Sequence, residues 1–150
     1  MFANALASEQ AAVVGVIDPD AYTANTYKTA NIDMSKWESI MVVVMAGTLG
    51  TNATVDAKIT EYTGTSEEGA QDIVGKAITQ LTEAGTDSDK QAIINLRREE
   101  MDIADGFRYV KVQLILATAT SDLGLLVIGV VPRNAPASDN DLSTVDEIVA

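Results

Sequence analysis

Residues 71–98 decide what this chain can fold into. Two apolar runs, IVGKAITQL and QAIINLR, flank the acidic turn segment TEAGTDSDK. Ala70, Ile73, Val74, Ala77, Ile78 and Leu81 fall at the i, i+3, i+4, i+7, i+8 and i+11 spacing of an amphipathic helix, with Thr65 and Glu68 at capping-box spacing before them. Against a helix stand Gly75 in mid-run and the β-branched Ile73, Val74, Ile78 and Thr79. Spacing alone leaves helix and strand open, and the flanking segments favour strand. On that reading residues 76–81 pair with residues 91–97 across an exposed acidic loop at 82–90.

Those flanking segments are β in character. Residues 40–46, IMVVVMA, have a β-branched centre suited to burial on both faces. Residues 54–61 alternate, with Val55, Ala57 and Ile59 facing one way and Thr54, Asp56, Lys58 and Thr60 the other, as in a half-buried antiparallel strand. Val110, Val112, Leu114 and Leu116 share one face of another strand, entered by the turn Asp105-Gly106, and residues 123–131 form a last buried strand ended by Pro132. Earlier, residues 12–17 are a short apolar run that Asp18-Pro19 is expected to stop, and the Thr- and Asn-rich residues 21–36 read as a long loop or irregular edge. About eight strands without a βαβ rhythm predict an all-β fold, an antiparallel β-sandwich or jelly roll with extended N- and C-terminal arms. The expected division is an arm at 1–11, the sandwich at 12–133 and an acidic tail at 134–150, detached because Pro132 just before it, Pro136 within it and an acidic run mark its start.

Composition narrows the function. With 22 acidic and 10 basic residues the formal charge is −12, which opposes binding to nucleic acid and to anionic membranes. The chain has neither cysteine nor histidine, which removes disulfides, thiolate chemistry and the commonest general base and metal ligand. The N-terminus lacks the basic region of a signal peptide and the apolar runs are too short to span a bilayer, so a soluble protein made in the cytoplasm is expected.

No motif carries catalysis. Gly64-Thr-Ser-Glu-Glu-Gly69 has the glycine spacing of a phosphate loop, but Ala70 and Gln71 stand where Lys and Ser/Thr are needed. Asp139-Asn-Asp141-Leu-Ser143 opens like a calcium loop, yet Thr144 and Ala150 replace its Gly and Glu. Glu99 and Glu100 are paired carboxylates among many, and Asn52-Ala-Thr54 is a glycosylation sequon with no secretory signal before it. The expectation is a non-enzyme with no cofactor and no metal. The candidate contact residues are Trp37 as a core or interface anchor, Asp87 and Asp89 as oxygen donors to a cation between subunits, and Arg97 and Arg98 as bidentate partners for a neighbour's carboxylate.

Over about residues 12–133, the sequence GKAITQLT, the segment DKQAIINLR followed by EEMD, and a terminal strand ending in PR resemble the head decoration, or cement, proteins of tailed bacteriophages. The resemblance implies a virion structural protein on the capsid surface, made in the host cytoplasm. Its implied partners are the major capsid protein and its own copies, as a trimer at threefold positions or a dimer at twofold positions. The alternatives are a tail, fibre or head-tail connector component, or a free-standing β-sandwich recognition module.

Overall fold

A computed structural model describes residues 4–149. The described residues form a two-layer antiparallel sandwich of ten strands with a single four-residue helix, α1 (Ala7–Gln10). In chain order the strands are β1 (Ala11–Tyr22), β2 (Asn25–Lys28), β3 (Ile32–Asp33), β4 (Trp37–Ala46), β5 (Thr54–Tyr62), β6 (Gln71–Ala77), β7 (Leu81–Thr82), β8 (Gln91–Arg97), β9 (Tyr109–Ala117) and β10 (Ser121–Pro132). Sheet A runs β1-β10-β4-β8; sheet B runs β2-β9-β5-β6, with β3 added to β9 and β7 to β5.

Alternating side chains build the core between the layers. Sheet A contributes Ile40, Val42, Val44, Leu96, Leu125 and Val127, and sheet B contributes Val55, Ile59, Val110, Val112 and Leu114, all buried. Small and branched side chains suffice because the two inner faces of a sandwich interdigitate across only about 10 Å. Trp37 is the bulkiest fully buried side chain, and it packs over Gly129 of the neighbouring strand, where any Cβ would lie 2.6 Å from the indole.

Four expectations need correction. The ambiguous segment is strand, as its surroundings favoured, but β6 and β7 pair with β5 while β8 pairs with β4 in the other sheet. The intervening residues 83–90 are a crossing between layers, and the helical stripe fails at Val74, 96% exposed on a bulge whose next residue, Gly75, has φ +77°. Second, Asp18-Pro19 does not stop β1. The strand passes through a register shift between Ile17 and Asp20, and its position at the sheet edge means that the missing proline N–H leaves no ladder bond unmade.

Third, the tail is extended but not detached at its start. Ala137 is fully buried, the Leu142 N–H donates to the Val13 carbonyl at 2.9 Å, and the Val13 N–H donates to Asp141 Oδ1 at 2.6 Å. The tail thereby covers part of the open edge of β1, a common protection for an unpaired strand. Fourth, β4 is buried by its own chain on one face only. Its side chains alternate between buried and partly exposed from Ile40 to Ala46.

Candidate functional interface

The two sheets present very different outer faces. On sheet B the outward positions are mostly polar and tied together, with Ile115 and Val74 the apolar exceptions: Lys58 pairs with Asp72 at 2.7 Å, Gln80 Nε2 donates to Asp56 at 2.7 Å, and Gln113 Nε2 donates to Thr60 at 2.8 Å. Glu67 bridges Lys111 at 2.7 Å and Lys28 at 2.9 Å, and hydrogen bonds from Lys111 and then Lys28 hold its carboxyl down at about 2. At the sheet's β3 end Arg108 grips both oxygens of Asp33, at 2.9 and 2.6 Å. Burial alone would raise the Asp33 carboxyl, but hydrogen bonds from Arg108 and Ser35 outweigh it and leave it at about 2. A face of this kind is at home in water.

Sheet A's outer face is not. Its register places Val13 beside Ile128 and Ile128 beside Met41 in one row. In the next, Val16, Leu126, Val43 and Ile93 lie side by side across all four strands. Met45 continues the patch beside Gly124. None of these side chains is charged, all are at least partly exposed except Gly124, and Ile93 and Met45 reach 58% and 38% exposure. Polar groups stand only around them: Ser39 and Arg97 at one end, Asn95 and Gln91 along the β8 edge, and Asp122 at the far corner. An apolar centre with a polar rim is the anatomy of a protein interface.

Of the five residues singled out in the sequence, Arg97 lies on this face. It is exposed at the end of β8 and pairs with Glu99 at 2.9 Å. Arg98 follows in a 3-10 turn, partly buried. Trp37 belongs to the core and offers nothing to a partner, because the sandwich closes over it. Asp87 and Asp89 belong to the crossing between sheets. Asp87 accepts from Lys90 Nζ at 2.7 Å and from the Thr82 N–H at 2.9 Å, which hold its carboxyl below the usual range. Asp89 has φ +59° and donates its N–H to Gly47. The two aspartates organise a turn, and among the described residues no group of three or more Asp or Glu is placed to hold a metal ion.

Sequence reasoning missed Met41, Val43, Met45, Ile93, Leu126 and Ile128. A signal was present, since residues 40–46 and 123–131 are apolar at both parities of the strand. Elsewhere, a groove of about 670 Å³ lies between α1 and the end of β10, lined by Ala5, Ala7, Ala11, Val131 and Pro136. Its Glu9 carboxylate accepts from the Leu6 N–H, so the groove gathers alkyl groups without a convergent acid and base.

The sequence matches no described protein family and no curated protein. Among solved structures, similarity is found to a chain of the Bacillus endospore appendages, a family of disulfide-linked pili, with 14% identity over 87% of this chain and 99% of that one and a TM-score of 0.39. A chain of infectious bursal disease virus, Gx strain, is 14% identical over 85% of this chain but only 34% of its own length, with a TM-score of 0.44. A chain of the cowpea mosaic virus empty particle is 9% identical over 87% and 85%, with a TM-score of 0.43. At TM-scores below 0.5 these likenesses fix neither the topology nor the role of this protein.

Proposed function

We propose that this protein is a virion structural component that binds the outside of an icosahedral phage capsid and cements adjacent capsomers. The observation that carries the reading is the asymmetry of the sandwich: one outer face is laced with ion pairs, and the other is an uncharged apolar sheet on a chain of net charge −12. Such a face costs free energy in water and regains it only against protein. The likeness of GKAITQLT, DKQAIINLR and the PR-ended strand to phage head decoration proteins supports the choice of assembly.

The mechanism is burial without chemistry. A protein that binds the assembled shell but not its separated subunits stabilises the shell by mass action, and repetition over a symmetric lattice multiplies a modest contact. The acidic surface keeps the protein away from the packaged nucleic acid. In this reading it is made in the host cytoplasm and joins the head from outside.

The test is reconstitution. Purified protein added to expanded, undecorated heads of a tailed phage should bind in a fixed ratio to the capsid subunits and raise the temperature at which the heads come apart. Heads that take up no protein at micromolar concentration would sink the proposal.

A further inference from the structure

We propose that the outer face of sheet A is a self-association surface, on which a second copy of this chain docks sheet to sheet in a twofold dimer. The inference rests on reading this face as an assembly surface, and not on the capsid as its destination. Three observations select a second copy as the occupant.

The first is charge. The chain carries −12, so most ways of bringing two copies together set like charges against each other. Sheet A's central rows, around Met41, Val43, Leu126 and Ile128, carry none, and stacking copies there places the Asp- and Glu-bearing faces of the two sheet B layers farthest apart. An anionic membrane is disfavoured by the same net charge and by a rim whose only cation on the paired strands is Arg97.

The second is shape. The two strands that carry most of the patch, β4 and β10, are internal to the sheet, so their backbone groups are already paired and the face presents side chains alone. A partner here needs no matching donors or acceptors. It needs a flat pleated surface of branched side chains, and an identical sheet supplies one with the same chemistry and the packing seen inside the sandwich itself.

The third is area. Four strands at about 4.8 Å spacing and seven paired rows at about 3.4 Å give roughly 450 Å² in plan for each copy. Two copies bury about 900 Å² in plan before side-chain relief is counted, close to the threshold of roughly 1,000 Å² for a specific interface and below the range of about 1,200–2,000 Å² of standard ones. Where the described residues do meet this sheet from outside, they do so at one end: the C-terminal segment packs on β1 and β10 through residues 137–142, and α1 touches the same end of β10, while Ile93 and Met45 stand open.

Sedimentation equilibrium on the full chain tests this. The wild-type protein should be a dimer with a dissociation constant in the micromolar range or tighter. Ile93→Lys and Met45→Lys, both at sites open enough to accept a charge in the monomer, should each weaken the dimer by at least about tenfold, because a buried unpaired ammonium is expensive. Circular dichroism of each variant checks that the sandwich is intact. A wild-type monomer at about 100 µM, well above a micromolar constant, overturns the proposal, as does a dimer indifferent to both folded variants. Head binding measured in parallel separates the two readings. A monomer whose head binding is lost in Ile93→Lys assigns the face to the shell and refutes self-docking, while a sensitive dimer that ignores heads refutes the capsid role alone.

Discussion

Gly129→Ala tests how tightly the two central strands of sheet A are fitted around Trp37. The position has no positive φ, so alanine is acceptable to the backbone, and the whole effect comes from space. The new methyl would lie 2.6 Å from Trp37 Cδ2 and Cε2 and 2.8 Å from Cε3, against a carbon–carbon optimum of about 3.5–4.0 Å. The indole must move by about 1 Å, yet it is only 1% exposed, and Trp37 is paired across the ladder with Pro132. Overpacking of this kind costs up to about 3 kcal/mol. The restricted unfolded chain of alanine returns about 0.4–1 kcal/mol, leaving a net loss of about 2 kcal/mol. For a chain of 150 residues that lowers Tm by about 4–8 °C, readable by calorimetry. Trp37→Ala alone should cost about 3–5 kcal/mol. In that background the extra methyl enters a cavity and its penalty should fall below about 1 kcal/mol, a coupling that a double-mutant cycle resolves. An unchanged Tm in Gly129→Ala, or the same penalty with and without the indole, would refute the close-packing account.

Three further outcomes follow from other parts of the fold. Asp33 is held at about 2 when folded, below its ordinary 3.8, so its contribution is complete above about pH 4 and is lost as pH falls toward 2. Asp33→Asn should flatten the fall of Tm across that window without abolishing it, since Glu67, also held at about 2, titrates in the same range with the same sign; an unchanged slope would contradict the role of the Arg108 pair. Val131, a β-branched residue 56% exposed at φ +54°, is strained, and Val131→Gly should gain about 0.5–1 kcal/mol in a denaturant midpoint; a loss would show that its side chain packs usefully. Removing residues 137–150 should lower Tm by an amount corresponding to about 2 kcal/mol, because buried Ala137 and the Asp141 and Leu142 bonds go with them, whereas removing 144–150 should leave Tm within about 1 °C; equal effects would show that the tail does not dock through those groups.

Most of what makes this an all-β protein was local and therefore readable. The alternation of Val55, Ala57 and Ile59, the row from Val110 to Leu116, and Gly75 inside a would-be helix each report on neighbouring residues only. The pairing of β8 with β4 was not readable, because nothing in QAIINLR distinguishes a partner a few residues away from one fifty residues back. Docking of residues 137–142 was hidden for a similar reason: proline and acidic residues mark an exposed start, while the fit of Ala137 against the sandwich depends on surfaces assembled from distant strands. Of the candidate interface residues, Arg97 was placed on the apolar face, whereas Trp37 was drawn into the core by a glycine in another strand.

By itself the sequence determined that the chain forms strands, and that those at 40–46 and 123–131 want apolar surroundings on both sides, since alternate residues point to opposite faces and both sets are apolar. Only the tertiary structure decided which side the chain covers with its own sheet B and which it leaves open. The reason is arithmetic of layers: a two-layer sandwich buries one face of each sheet, and the second apolar face of sheet A finds no third layer among the described residues.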